Sequence, residues 1–437
     1  MYHNPGSSAE ASSGSPAPAG APAFPGPAPR LGWFFLVCLG LNGVIGSGIV
    51  GTPGYIAQEL GSLGPAVFLL GGALCMVIAL CFAEMSALFP ATGGAYVYAR
   101  AVFGPFAGFL VGWNMWLSGL VGWASVAAML AELLVPGGTW EGPLAAATVV
   151  LFLSVVNGAG ARPAAWLNEV VTILKLLGLG AFVVWALPRL EVAAFMPGTA
   201  PPRNVALGFL LALYTFTGFE EVPVPSGEVR DPRRAVLRAL ITVLAVATLF
   251  YVLVQGAVGS LHLQGHPRPL QEAVASVPAL AWLVSATALF LVLGVNASIA
   301  FTAPRSLWAL ARDGEIPAWL APLHPTLGTP VRCIAVHGLL TALLVLAVPF
   351  RTLALLVVMA SLLQYIPTLA AMLALRFREP GRERPFTAPG GKALATLGLL
   401  VCVFLLSQAR VSDLVSTGGA LALGAGLYAL RPRRGSS

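Results

Sequence analysis

From Leu31 onward the chain is a succession of apolar runs, most of them about 18–25 residues long, divided by short stretches where Arg, Pro and Gly collect. At 1.5 Å of rise per residue, a helix of that length crosses a hydrocarbon core roughly 30 Å thick. Each run therefore predicts a membrane-crossing helix, and about twelve are counted. They fall at 31–60, 64–89, 106–134, 142–160, 165–187, 205–228, 238–260, 278–310, 332–349, 352–375, 393–408 and 413–430. The runs 106–134 and 278–310 exceed a perpendicular crossing, which predicts tilt or extension past the membrane.

Two runs are interrupted in a way a plain anchor does not need. The first carries Asn42-Gly43-Val44-Ile45-Gly46-Ser47-Gly48-Ile49-Val50-Gly51-Thr52-Pro53-Gly54, whose close glycines and proline weaken a helix at mid-depth. The sixth carries Tyr214-Thr215-Phe216-Thr217-Gly218-Phe219-Glu220-Glu221-Val222-Pro223-Val224-Pro225. The breaks occupy corresponding places in two five-helix halves, and paired interruptions point to a transporter binding site. The plainer reading is that small residues let membrane helices pack closely.

Composition agrees with the pattern. The 437 residues are 57% hydrophobic and 9% charged, against roughly 25% charged in soluble domains. Mean hydropathy is +0.85. The formal charge of +7 is no nucleic-acid footprint, because its arginines are scattered between apolar runs rather than gathered in one patch. They sort by side instead. With a cytoplasmic N-terminus, the inner side receives Arg30, Arg100, Arg162, the Arg230 to Arg238 group, Arg305, Arg312, Arg332, the Arg376 to Lys392 cluster and the Arg431 to Arg434 tail. The outer side receives only Arg189, Arg203, Arg268, Arg351 and Arg410, a bias of more than threefold that predicts both termini inside.

Residues 1–30 are rich in Pro, Ala, Gly and Ser and predict a disordered tail, with no cleavable signal peptide. Cys38, Cys75, Cys81, Cys333 and Cys402 lie in apolar runs without metal spacing and read as small core residues. His262, His266, His324 and His337 have no ligand spacing, and Trp113, Trp116 and Trp123 read as packing. No cofactor, metal or catalytic residue is expected.

An unwound helix has a specific chemistry. The half-helix after the break begins with free N–H groups and a positive dipole end, which suit a carboxylate. The half-helix before it ends in free carbonyls, which suit an ammonium. One break therefore binds both ends of a zwitterionic amino acid. Val44, Ile45, Gly46, Ser47 and Gly48 are the expected site, with the Ser47 hydroxyl a further donor. The side chain then points to the second break, where Tyr214, Phe216, Thr217 and Gly218 are candidates, although an aromatic such as Tyr214 or Phe216 on a membrane helix is more often packing than a lid.

Several motifs in order carry a resemblance. They are Gly46-Ser47-Gly48-Ile49, then Glu84-Met85-Ser86 leading through Pro90 to Gly93-Gly94-Ala95-Tyr96-Val97-Tyr98, then Gly218-Phe219-Glu220 with Glu228-Val229-Arg230-Asp231-Pro232. Ala311-Arg312-Asp313-Gly314 with Pro317, Gly328-Thr329-Pro330, and Arg384-Pro385-Phe386 with Pro389-Gly390 follow. Over residues 36 to 390 the chain resembles the amino acid–polyamine–organocation transporter superfamily. The resemblance implies an all-α integral membrane protein of the LeuT-type fold: a 5+5 inverted repeat, here 31–187 and 205–375, then two further helices in 393–430 and a short tail at 431–437.

It also assigns roles. Lys175, one of two lysines, sits inside the fifth apolar run, where a lone ammonium is expensive. In proton-coupled members a lysine at the matching place fills the region where sodium-coupled relatives hold an ion. The resemblance thus implies a coupling role for Lys175 beside the first and eighth helices, near the Gly43 carbonyls and the hydroxyls of Ser298 or Thr302. The alternative is that Lys175 snorkels or is structural. Glu220 is implied as a gating or coupling residue, while either Glu220 or Glu221 also suits a helix-start cap. Glu84 and Arg100 read as structural. Asn296, like Ser298, Thr217 and Phe219, is a candidate neighbour of the substrate side chain.

The expected function is secondary active transport of an amino acid across the cell inner (plasma) membrane, coupled to protons. An exchanger or polyamine transporter is the alternative, and an amino acid sensor on a transporter fold the alternative of another class. No ring motif of a channel filter is present, and no soluble-enzyme site of a familiar kind.

Overall fold

The computed structural model describes residues 31–135, 140–196, 202–348, 350–407 and 411–430, without the side chains of residues 47, 132, 206, 210, 350–360 and 411–414. The expected tails at 1–30 and 431–437 lie outside the described residues. Among these, fifteen α-helices and several 3-10 turns account for the regular structure, and the one β-bridge joins Leu31 to Val229. In chain order the helices are α1 Trp33–Val44, α2 Ser47–Leu60, α3 Gly64–Leu88, α4 Ala95–Phe103, α5 Pro105–Leu134, α6 Glu141–Gly158, α7 Ala161–Ala186 and α8 Val205–Thr215. Then come α9 Pro232–Ser260, α10 Pro269–Ala273, α11 Pro278–Arg312, α12 Val331–Ala347, α13 Phe350–Arg378, α14 Gly391–Ser407 and α15 Val411–Leu430.

Six helical stretches of the described residues are long and apolar enough to cross a membrane. Large apolar side chains stay exposed along them, as at Leu70, Phe152, Val184, Leu249 and Trp282. With α5 thirty residues long and α11 thirty-five, the two runs that exceeded a plain crossing are single unbroken helices.

The interrupted runs behave differently. The first stops at Val44, passes through Ile45 and Gly46 outside helical geometry, and restarts at Ser47. The sixth stops at Thr215 and turns at Gly218, whose φ of +111° is left-handed and suits glycine. It does not restart as an α-helix. A 3-10 turn at Phe219–Glu221 and another at Ser226–Glu228 carry the chain onward instead. Pro223 and Pro225 explain this, since each removes an N–H that a continuing helix would need. Glu220 and Glu221 therefore sit in a tight turn and cap no second half-helix.

α1 runs through the middle of the molecule and packs on α7, α9 and α11, while α2 leans on α8. The central position is visible in its burial, with Phe35 to Val44 all shielded except Gly43. Around it, α3 packs against α9, α11 against α5 and α7, and α13 against α5.

Candidate functional site

The two breaks meet backbone to backbone. A Cβ added to Gly218 would lie 2.6 Å from the Gly43 carbonyl carbon, and one added to Gly43 would lie 3.0 Å from the Gly218 oxygen. The first distance is one that real Cβ atoms do not show and falls at a left-handed φ, so Gly218 needs glycine, while at Gly43 a Cβ would force the facing backbone to give by a few tenths of an ångström. Tyr251 of α9 secures the same junction. Its buried hydroxyl lies 2.7 Å from the Val44 carbonyl and 2.8 Å from the Thr215 carbonyl, so one O–H serves the ends of both half-helices.

A cavity of about 120 Å³ opens beside this junction. Gly43, Val44, Gly46 and Gly48 line it from the first break, and Tyr214, Thr215, Thr217, Gly218, Glu220 and Glu221 from the second. The far wall is Ser118, Gly119, Gly122 and Ser125 of α5, Ser298 of α11, and Ser361 and Gln364 of α13. The α5 wall had a legible signal, because residues spaced i, i+1, i+4 and i+7 share one helix face and here are all small. Ser361 and Gln364 carried none.

Of the expected substrate residues, Val44, Gly46, Gly48, Tyr214, Thr217 and Gly218 line the cavity. The Ser47 side chain lies outside the described residues. Ile45 and Phe216 are fully buried elsewhere. Ile45 turns its carbonyl to Lys175, and Phe216 packs its ring against Tyr251 at 5.0 Å and Phe68 at 6.2 Å. Gly48 abuts the Thr215 side chain, 2.9 Å from where a Cβ would stand, so its smallness serves helix contact as well as access.

Lys175 is wholly buried. Its ammonium donates to the Leu41 and Ile45 carbonyls, each at 2.8 Å, at the end of α1. α7 presents a polar ladder to α1, with Asn168, Thr172 and Lys175 spaced four and three residues apart and so on one face. Asn168 accepts from the Asn42 amide at 3.0 Å, and Thr172 lies 2.7 Å from the Asn168 carbonyl and 3.2 Å from that of Cys38. The acceptors expected for Lys175 differ in part. Ser298 donates to the Leu39 carbonyl at 3.1 Å and Thr302 to the Ser298 carbonyl at 3.1 Å, so neither hydroxyl is bonded to the ammonium. α11 instead approaches Lys175 at Gly294, where a Cβ would stand 3.1 Å from the amine.

Glu220, 4% exposed, accepts from the Gly218 N–H and the Tyr365 hydroxyl, both at 2.8 Å. Glu221 is half-buried and lies against Thr302. Asn296 bonds the Val292 carbonyl of its own helix at 3.0 Å and is not among the lining residues. Among the described residues, neither Lys175, Glu220 nor Glu221 belongs to an ion pair, and no three His, Cys, Asp or Glu cluster as metal ligands.

The arginine-rich end of the molecule is built on other lines. Arg305 grips Glu228 through two parallel bonds of 2.6 and 3.0 Å, with both side chains buried. Glu84 is held by Arg376 and Arg384 and by the Ala388 N–H. Arg100 reaches Glu315 at 2.6 Å, and Tyr96 donates to Asp313 at 2.7 Å. Leu31 is pinned here too, by Leu31 N–H to Glu228 O at 2.8 Å and Arg230 N–H to Leu31 O at 2.9 Å.

Apolar helices, two of them broken at a shared cavity with buried lone charges beside it, define a multi-pass membrane transporter rather than an enzyme. Residues 31–418 match the amino acid permease family, and the chain belongs to that family. It is 30% identical to an uncharacterised transporter of Mycobacterium tuberculosis, over 92% of this chain and 91% of that one. It is also 30% identical to the human cationic amino acid transporter 4, over 81% of this chain but 60% of the human one. The serine/threonine exchanger SteT of Bacillus subtilis is 26% identical over 93% of this chain and 98% of its own.

Proposed function

We propose that this protein is a secondary active transporter that carries an amino acid across the plasma membrane by alternating access, coupled to protons through Lys175. The observation that supports this most is the cavity at the junction of two helix breaks, with Lys175 bound to the carbonyls of the first. The first turn of α2 has no side-chain cap, which leaves N–H groups for a carboxylate. The substrate ammonium is taken by carbonyls at the end of α1. Relatives named for amino acids, including a serine/threonine exchanger, favour the same substrate class.

In this reading residues 31–187 and 205–375 form the two inverted halves, 393–430 supplies the last two crossings, and both termini are cytoplasmic. The arginine-rich end is then the inner side. Charge-assisted hydrogen bonds are roughly twice as strong as neutral ones, so loss of the Lys175 proton weakens its hold on α1. A proton bound more tightly in one state than the other biases the outward-open against the inward-open form.

Thermal denaturation of the purified protein with single ligands tests the substrate class, since a ligand at 100 times its Kd adds about 2.7 kcal/mol. α-Amino acids are expected to raise the midpoint and amines without a carboxylate to leave it unmoved. Stabilisation by polyamines alone would transfer the assignment to a polyamine carrier. Amino acid binding with no flux under any ion gradient would make the protein a sensor.

A further inference from the structure

The resemblance assigned Glu221 no part, and the half-helix it was expected to cap does not form, yet it lines the cavity. The cavity walls hold two carboxylates, Glu220 and Glu221, and none of the described lining residues is basic. Glu220 is engaged, since its carboxylate accepts from the Gly218 N–H and from Tyr365, with Ser361 beside it. Glu221 is placed otherwise. Its carboxylate lies against the Thr302 hydroxyl with Glu220 nearby, and among the described residues no ammonium or guanidinium forms an ion pair with it. Lys175 offers no compensation, because its ammonium is held by Leu41 and Ile45 and it does not line the cavity.

We propose that Glu221 is a specificity-determining residue that pairs with a positively charged side-chain group, so that the preferred substrate is an α-amino acid with a cationic side chain. This rests on the reading of the cavity as an amino acid site. The physical reason lies in what happens to Glu221 when the cavity fills. Water solvates a half-buried carboxylate in the empty state, and an entering substrate displaces that water. A neutral side chain then leaves the charge desolvated and unpaired, which a buried ion tolerates poorly. A cationic side chain brings its own counter-charge. Discrimination therefore comes as much from the penalty on neutral substrates as from attraction to the charged one.

Ornithine and norleucine make a matched pair, since they differ only in a terminal ammonium or methyl group. Binding of both to the purified full-length protein, followed by competition for uptake in proteoliposomes, tests the proposal. Ornithine is expected to bind about 10- to 100-fold more tightly than norleucine, the range for a hydrogen bond to a charged group. Glu221→Gln is expected to bring the ratio close to one, and Glu221→Asp to retain a preference for ornithine. Equal or tighter norleucine binding by the native protein would overturn the proposal even if the glutamine variant did not fold. So would a ratio unchanged in Glu221→Gln. Binding of alanine or norleucine without preference for ornithine sinks this assignment alone, whereas failure of every α-amino acid to bind sinks the site on which it rests.

Discussion

Glu228 and Lys175 are both almost completely buried, yet the molecule treats their charges in opposite ways. Glu228 faces a guanidinium locked in a bidentate grip and further held by the Phe301 carbonyl at 2.6 Å. Lys175 faces only neutral carbonyls, and Glu220 an N–H and a phenol. Two full charges in contact attract by about 4 kcal/mol at an effective dielectric near 20, so a clamped pair strongly resists a change in either partner. A charge held by dipoles has no fixed counter-ion. It gains or loses a proton, or exchanges one set of dipoles for another, at a smaller cost. The arginine-rich end is built to stay as it is, and in the proposed reading the helix-break region is the part that changes state.

The comparison breaks most visibly if the clamped region proves soft. Arg305→Ala strands Glu228 without its partner and is expected to cost about 3–5 kcal/mol, read as a large fall in thermal midpoint. Replacing both residues with apolar ones of similar volume should recover much of that loss. Little effect from the single change would erase the contrast.

Gly218→Ala probes the junction itself. It adds a Cβ where φ is +111° and the Gly43 backbone stands 2.6 Å away, and strained backbone alone costs about 1–3 kcal/mol. A wild-type midpoint in that variant would show that the breaks do not touch as described. Lys175→Ala removes two hydrogen bonds to carbonyls but strands no opposite charge. Its midpoint is expected to fall less than that of Arg305→Ala while its transport fails, a separation that sharpens the comparison. Arg100→Ala should cost about 1 kcal/mol or less, because that side chain is 31% exposed and solvent screens its pairs.

The smallest effect is one of pH. Burial pushes the Asp313 carboxyl up, but the hydrogen bond and charge of Arg312, with help from Tyr96 and Arg100, outweigh it and hold the group below its ordinary 3.8. A group lowered on folding contributes stability above its unfolded value and loses it as pH falls through the folded one. The native midpoint should therefore decline below about pH 4, and Asp313→Asn should flatten that decline slightly. An identical slope in the variant would remove Asp313 from the clamped set.

Much of this was legible in the chain. Period and length placed the helices, and the glycine and proline clusters located both interruptions, because backbone breaks are written locally. Lys175 stood out since a lone lysine in an apolar run is conspicuous. What escaped depends on distant packing. Carbonyls around Gly43 were expected for Lys175, and Leu41 and Ile45 supply them, but that Ser298 and Thr302 turn their hydroxyls to other carbonyls is set by tertiary packing. Tyr251 at the junction, Glu221 on the cavity wall and the Glu228–Arg305 clamp join residues 36 to 207 positions apart, and no local pattern reports such meetings. Pro223 and Pro225 were noticed, yet their consequence, a 3-10 turn in place of a second half-helix, needed the count of missing donors.

Uptake of labelled amino acid into proteoliposomes under an imposed pH gradient, without sodium on either side, tests the central claim most directly. The native protein should accumulate substrate when the outside is acidic, and Lys175→Ala should lose that accumulation while still binding the amino acid. Uptake that strictly requires sodium, or proton-driven accumulation that survives in Lys175→Ala, would contradict the account and leave Lys175 a structural tie between α7 and α1.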